Sequence, residues 1–356
     1  MNQFSKIRLA FVAAMAAFVL PLAASAHEVY VLTANEISYD LSEPPFDMVQ
    51  VALQNLHQFV FWGFIAFLLV STIFCVSLFR IFETKAYPIF RRMRAYAPAL
   101  SRITVGLGFI AASYYGATYG PELPIAASYG SYAPLIALTL SIIGTLMVIG
   151  FWARAAALVA LALYLFSVYL HGWYMLTYTN YLGEIIVLLI LGSHRLSVHS
   201  ITGWSERFHR SYHAFVRRLE DLAFPILRVS FGVSLIYASA YAKIIHNNLA
   251  LQVASLPLAG HPYPLAHYFG FEPHFLVLGA AIIELIIGLF FILGIEIRWT
   301  SIFLLFWLSL SLWFFGESVW PHIILIGLPI AFIFHGYDRY SVEGRYFGKK
   351  RIEPIL

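Results

Sequence analysis

Residues 278–298 read LGAAIIELIIGLFFILGIEIR, an apolar stretch with one acid, Glu284, near its middle and a second, Glu296, close to its end. The surrounding run from Phe275 to Leu293 is long enough to cross a bilayer, which takes about 20 residues. A carboxylate inside a membrane costs about 2.5–3.5 kcal/mol on insertion scales, so it is a functional candidate by default. The alternative is that Glu284 only holds helices together, because structural polar contacts between membrane helices are common.

The composition places most of the chain in the bilayer. Its 356 residues are 61% hydrophobic and 11% charged, whereas a soluble domain carries about 25% charged residues. Only helices and closed barrels satisfy their backbone hydrogen bonds in lipid, and long unbroken apolar runs exclude the barrel. We therefore predict an all-α polytopic membrane protein. Nothing in the sequence indicates a nucleic-acid partner.

The first residues are typical of a secretory signal. A basic region, an apolar region and a small-residue cleavage site, Ala24-Ser25-Ala26, follow one another. We predict a signal peptide over residues 1–26 and a mature chain that begins at His27. The alternative is an uncleaved anchor helix.

Nine further apolar runs predict nine transmembrane helices. They cover about residues 57–79, 103–119, 133–151, 155–176, 181–193, 224–245, 274–294, 299–316 and 320–336. With the mature N-terminus outside, every basic residue of the mature chain except Lys243 falls on the inner side, as the positive-inside rule requires. We predict a protein of the bacterial inner membrane, with a periplasmic N-terminus and a cytoplasmic C-terminus.

The later eight spans look like two copies of a four-helix unit. SRITVGLGFIAASYYGA from Ser101 aligns with LRVSFGVSLIYASAYAK from Leu227. Beyond that, the second copy carries 18 extra residues, in the loop at about 246–274. We predict two tandem four-helix bundles related by a pseudo-twofold axis along the membrane normal. The predicted segments are a periplasmic segment at 27–56, an extra transmembrane helix at 57–80, a first repeat at 101–202, a cytoplasmic interfacial linker at 203–223, a second repeat at 224–345 and a basic cytoplasmic tail at 346–356.

Two of these segments carry a local prediction of their own. The acidic segment 27–56 cannot bury a core, and its first part, HEVYVLTANEISYDL, has strand character. We expect it to lie on the membrane surface or to dock a partner. The linker sequence WSERFHRSYHAFVRRLEDL is predicted to form an amphipathic interfacial helix.

Cysteine and histidine restrict the redox chemistry. The one cysteine, Cys75, excludes an intrachain disulfide, a CxxC redox site and an iron–sulfur cluster held within this chain. The sequence has no CxxCH motif for covalent haem. At the mature N-terminus His27 is a candidate copper ligand, because imidazole suits copper, but the other histidines show no ligand spacing.

The second copy resembles the DoxX family of bacterial membrane proteins. The resemblance rests on RVSFGVSLIYASAYAK (228–243), ELIIGLFFILGIEIR (284–298) and WPHIILIGLPIAFIFHGYDRYSVE (320–343). The family includes the DoxD-type small subunits linked to thiosulfate:quinone oxidoreduction. The resemblance implies a four-helix unit in the bilayer, with a quinone-linked redox role as one implied function.

The copies differ in their ionisable residues. Glu284, Lys243 and His322 align with Leu140, Ala117 and Tyr178, whereas Glu184 is specific to the first copy, where we predict a structural contact. The alternative explanation is drift after duplication. We hypothesise that Glu284 pairs with Lys243, because the first copy lacks both.

A quinone site needs an apolar slot, aromatic walls and groups that exchange protons with the quinone oxygens. The predicted catalytic residues are Glu284, His322 and Lys243, with Glu284 near mid-depth and the other two near the outer ends of their helices. The predicted wall residues are Tyr241, Trp307 and Trp313, together with Tyr237. The leading function is the membrane subunit of a quinone-linked redox system with a redox partner subunit. The alternatives are a non-enzymatic accessory protein and a proton-coupled small-solute transporter.

Overall fold

The computed structural model describes residues 32, 34–193, 196–198, 209–257, 262–315 and 320–347. The predicted signal peptide and His27 lie outside the described residues, as does the tail from residue 348 onward. The predictions made for them therefore stay predictions.

The described residues are helical, as the composition predicted, with one isolated bridge between Ala117 and Pro124. In chain order the helices are α1 (Ala34–Ser42), α2 (Met48–Asn55), α3 (Phe59–Arg94), α4 (Ala97–Tyr115), α5 (Ile125–Tyr129), α6 (Ala133–Ile149), α7 (Ala153–His171), α8 (Thr179–Leu191), α9 (His209–Ala240), α10 (Asn247–Ser255), α11 (Leu265–Phe269), α12 (Pro273–Leu293), α13 (Ile297–Phe315), α14 (His322–His335) and α15 (Val342–Phe347).

Several helices are suited to a bilayer. Within the described residues, six stretches are long and apolar enough to cross a membrane: Phe61–Arg94, Ile125–Ile149, Ala153–Leu191, Leu219–Ile245, Pro273–Leu293 and Ile297–Phe314. The helices α7 and α8 form one of these stretches, and α4 and α14 are not among them. The chain is therefore an integral membrane protein with several membrane-crossing helices, whereas the count of nine stays a prediction.

The long helices form a closed ring of neighbours. The order around the ring is α4, α6, α7, α8, α9, α12, α13 and α14, and α14 packs back on α4. One apolar core runs through helices of both halves of the chain. We call the end of the ring that carries α1, α2, α10 and α11 the cap end, and the opposite end the basic end.

Close glycine contacts join the first two helices of each half. A Cβ atom placed on Gly106 of α4 would lie 2.8 Å from the carbonyl oxygen of Gly144 on α6. A Cβ atom on Gly232 of α9 would lie 2.5 Å from the carbonyl oxygen of Gly288 on α12. Small residues let helix backbones approach this closely. In the sequence alignment of the two halves, Gly106 corresponds to Gly232 and Gly144 corresponds to Gly288. The two contacts therefore lie at equivalent positions.

Two buried arginines, Arg102 and Arg228, also occupy equivalent positions in the two halves. The guanidinium Nη1 of Arg102 donates to the carbonyl oxygen of Val148 at 3.0 Å. In the second half, Arg228 Nη1 donates to the carbonyl oxygen of Ile292 at 2.6 Å. Each arginine thus reaches from the first helix of its half to carbonyl groups near the end of the second helix. These carbonyl groups have no partner within their own helix.

The two halves meet through reciprocal contacts. The helix α8 packs on α9, and α14 packs on α4. At the first seam Gly183 lies against Ser230, and at the second seam Gly327 lies against Thr104. In the same alignment, Gly183 corresponds to Gly327 and Thr104 corresponds to Ser230. Each seam is therefore built from corresponding positions of the two halves.

The extra helix α3 is longer than predicted. It continues past the predicted end at residue 80, through Pro88, as far as Arg94. Glu83 forms a buried ion pair with Arg298 at the start of α13, and Arg80 pairs with Glu296. These pairs fix the basic end of α3 against the second half, so the helix extends beyond the apolar run that predicted it.

The segment of residues 34–55, which we call the strap, docks on the chain's own α10. The side-chain amide of Asn247 donates to the carbonyl oxygen of Phe46 at 2.8 Å and accepts from the Phe46 amide at 3.0 Å. Ile37 packs beside Leu249 in a small apolar cluster. The predicted strand character is wrong for the described part of this stretch, because Ala34–Ser42 is helical. Packing on α10 overrides the local strand propensity.

The described part of the predicted linker is continuous with the next span. The helix α9 begins at His209 and runs through Pro225 to Ala240 without a break. Its last turn continues as a π-helix over Tyr241–Ile245. This last turn carries one of the predicted site residues, Lys243.

Candidate functional site

A cavity of about 260 Å³ lies inside the second half, toward the cap end. The helices α9, α12, α13 and α14 surround it, and Ala250, Val253 and Ala254 of α10 cover it. Its walls are mostly leucine, alanine and phenylalanine side chains. Five polar or ionisable residues also line it: Lys243, Glu284, Trp307, Ser311 and His322. An apolar cavity with a few convergent polar groups is the usual form of a small-molecule site.

Glu284 and Lys243 form an ion pair in this cavity. Glu284 Oε2 lies 3.0 Å from Lys243 Nζ, and the side chains are 22% and 7% exposed. Trp307 Nε1 donates to the other carboxylate oxygen, Glu284 Oε1, at 3.4 Å. The structure therefore brings together the two residues that the comparison of the halves singled out. An ion pair offsets part of the cost of holding either charge away from water.

The end of α9 explains how Lys243 reaches Glu284. In the first half, Gly116 adopts the left-handed conformation, with φ of 69°, and ends α4. The aligned residue of the second half is Ala242, and there the helix continues through the π-helical turn. Lys243 is consequently buried, and its side chain reaches Glu284. As the sequence predicts, Lys243 lies near the end of its helix and Glu284 near the middle of its own, and the two side chains nevertheless meet.

Aromatic side chains fill the corresponding region of the first half. Tyr119 is buried there, with its ring centroid 5.0 Å from that of Tyr181 and 5.5 Å from that of Tyr164. Phe109 packs on the same cluster. Thus one half has a packed aromatic core where the other has a cavity.

The aligned residues of the second half account for the open space. Phe109, Tyr164 and Tyr181 align with the leucines that line the cavity: Leu235, Leu308 and Leu325. Ile245 aligns with Tyr119 but is half exposed instead of buried. Because the π-helical turn directs this position outward, none of the described side chains takes the place that Tyr119 fills in the first half.

The predicted aromatic walls are only partly in place. Trp307 lines the cavity, but Tyr241, Tyr237 and Trp313 do not. Tyr241 packs on Tyr174 of the first half, with ring centroids 5.1 Å apart, and Trp313 is largely exposed. Residue type alone marked these aromatics, whereas their direction depends on the tertiary structure.

His322 and Ser311 complete the polar lining. His322 is buried at the start of α14, and it lines the cavity as its predicted role requires. Ser311, which aligns with Ser167 of the first half, was not singled out from the sequence. In the first half Ser167 contacts the hydroxyl oxygen of Tyr129 at 3.2 Å, so the same residue type serves packing in one half and the cavity in the other.

Glu184, the acid of the first half, lies away from this cavity. It is fully buried at the contact of α8 with α4. Its Oε1 accepts from the hydroxyl of Thr104 at 3.3 Å and from that of Ser101 at 3.4 Å. These contacts support the structural role that we predict for it. In the described part of the chain, no group of three or more His, Cys, Asp or Glu side chains is arranged to hold a metal ion.

Comparisons with known proteins identify part of the chain. A family model described as DoxX matches residues 223–317. The matched part contains Lys243, Glu284 and Trp307, and it ends before His322. No curated protein and no solved structure matches the chain.

Proposed function

We propose, from the premise that this chain is a DoxX-family membrane protein, that the cavity of its second half is a quinone site. The protein would serve as the membrane subunit of a quinone-linked redox system. The observation that carries the proposal is the apolar cavity beside the Glu284–Lys243 pair. A quinone ring is flat and apolar with two carbonyl oxygens, so it needs apolar walls and a few hydrogen-bond donors.

The polar groups of the cavity suit proton exchange with such a ring. Reduction of a quinone takes up two electrons and two protons. Lys243, His322 and Trp307 can donate hydrogen bonds to carbonyl oxygens, and Glu284, Lys243 and His322 can transfer protons. Because the sequence has no motif for an iron–sulfur cluster or covalent haem, a partner subunit would supply the electrons.

We also propose that the chain consists of two tandem four-helix repeats, of which the second is the functional one. The paired glycine contacts, the paired arginine contacts and the reciprocal seams support the duplication. The aromatic core of the first half supports a scaffold role for that repeat. The distribution of basic residues supports a cap end in the periplasm and a basic end in the cytoplasm of a bacterial inner membrane.

The transporter alternative receives less support. Transporters commonly bind their substrate at broken helices near mid-membrane. The helix α14 continues through Pro329 from His322 to His335 without a break. Proton-dependent solute uptake into liposomes by the isolated protein would nevertheless favour a carrier over the redox proposal.

Quinone binding by the purified protein tests the proposal. We expect quinone in organic extracts of the protein and saturable binding of a short-chain quinone. Lys243→Met and Glu284→Gln should each weaken binding about ten-fold or more, because a polar partner of the ring is lost. Glu184→Gln is the matched control, since it changes the other buried acid and should leave binding intact. Equal affinity in all four proteins would reject the cavity as the quinone site.

A further inference from the structure

The cavity has one wall residue from outside the second half. Phe64 of α3 is the one residue among the described cavity-lining residues that precedes α9 in the chain. Its ring centroid lies 6.0 Å from that of Phe271 and 6.0 Å from that of Phe275. The three rings form one aromatic face of the cavity. Phe64 lies outside the matched family segment, so the DoxX part of the chain lacks this wall on its own.

A glycine of α12 accommodates this phenylalanine. A Cβ atom placed on Gly279 would lie 3.7 Å from Cε1 of Phe64, so the ring lies close beside the helix backbone. The aligned residue in the first half is Leu135, which is exposed on the outside of the ring of helices. Among the helices that the structure describes, none covers the first half at this place. Gly279 therefore forms a notch where Phe64 packs, at a position where the other half has a large side chain facing lipid.

The position of α3 is fixed at both ends. Toward the basic end, the ion pair of Glu83 with Arg298 joins α3 to α13. Toward the cap end, Phe61 and Phe64 pack on Phe275. The large side chains on the other face of α3, such as Phe67, are exposed where the bilayer lies. The ring of Phe64 is thus held in place between the cavity and the surrounding lipid.

We propose that Phe64 is a specificity-determining residue of the cavity and limits the bulk of the hydrophobic part of a ligand that arrives from the bilayer. This inference rests on the proposed quinone site. The polar groups contact the ring of the ligand, whereas the wall of Phe64, Phe271 and Phe275 contacts its tail. The helix α3, which lies outside the matched family segment, therefore adapts the family fold to one class of membrane-soluble ligand.

Chemical labelling tests the wall without any quinone. In a Cys75→Ser background, Ser311→Cys places a single thiol in the cavity, and pyrene maleimide supplied from the membrane reports access to it. Phe64→Ala should accelerate labelling roughly ten-fold, the scale of one altered wall contact, and Phe64→Leu should accelerate it less. Phe67→Ala removes an equally large side chain from the lipid-facing side and should leave the rate unchanged. An unchanged rate in Phe64→Ala would overturn the wall.

Binding of two quinones then tests specificity. The probes share a ring and carry either a decyl tail or a branched farnesyl tail. Phe64→Ala should shift the ratio of the two dissociation constants about ten-fold in favour of the bulkier tail, and Phe67→Ala should not. An unchanged ratio would refute the specificity role. If neither quinone binds any variant but labelling still depends on Phe64, the quinone proposal fails and the aromatic wall is retained.

Discussion

Removing one charge of the Lys243–Glu284 pair should destabilise the protein more than removing both. The two charges are 3.0 Å apart, and at an effective dielectric constant of about 20 their attraction is about 5.5 kcal/mol. Breaking a buried pair on one side costs about 3–5 kcal/mol, because the remaining charge loses its partner. Since the Glu284 side chain is 22% exposed, we expect a loss of unfolding free energy of about 3 kcal/mol.

Reversible unfolding in mixed micelles measures these free energies. Lys243→Met and Glu284→Gln should each lose about 3 kcal/mol, whereas the double variant should lie within about 1 kcal/mol of the parent. Glu184→Gln combined with Lys243→Met is the control, and there the two losses should add, because Glu184 has no contact with the pair. Additive losses in the Lys243–Glu284 double variant would refute the coupling on which the site depends.

Three further predictions concern packing, pH and the strap. Gly288→Ala should lower the free energy of unfolding by about 1–3 kcal/mol through overpacking, because the new Cβ would lie 2.9 Å from the Gly232 carbonyl oxygen. Gly279→Ala is the control and should be tolerated, because its Cβ would come no closer than 3.7 Å to Phe64. Equal melting temperatures of the two variants would contradict this prediction. Burial, followed by the nearby carboxylate of Glu296, raises the pKa of Glu343 to about 7. The folded state therefore binds this proton more tightly than the unfolded state, and the associated stability falls as pH rises from about 4.5 to about 7. Glu343→Gln should flatten the dependence of the melting temperature on pH between pH 5 and pH 8, and an unaltered slope would argue against this assignment. Asn247→Ala should release the strap and speed its proteolysis by a protease added at the cap end. Ser255→Ala is the control, because the Ser255 hydroxyl donates to the carbonyl oxygen of Leu251 within α10 itself; equal cleavage rates in the two variants would show that Asn247 does not hold the strap.

Comparison of the two halves predicted the most informative part of the site. Lys243 and Glu284 were paired because the first half lacks both, and their side chains do meet. The reasoning succeeded because an unmatched charge inside a membrane is costly and requires a partner. It did not predict how Lys243 comes to be buried beside Glu284, since that depends on the continuation of a helix past Ala242. A single glycine-to-alanine difference in an aligned turn is too weak a local signal to predict a π-helical turn.

Other parts of the structure depend on contacts between distant segments. The length of α3 reflects ion pairs with residues more than 200 positions away in the chain, which apolar periodicity does not reveal. The helix α1 forms in a stretch with strand propensity because it packs on α10. Tyr241 and Trp313 have the right chemistry for a wall but face elsewhere, whereas Phe64 was not considered because it lies in a different part of the sequence.

Filling the cavity tests the central claim most directly. Leu308→Tyr with Leu325→Tyr transfers two residues of the first half's aromatic core into the second half, and it leaves Glu284 and Lys243 in place. We predict a folded protein with a melting temperature no lower than that of the parent and no measurable binding of a short-chain quinone. Parental quinone affinity in this folded variant would show that the ligand binds elsewhere.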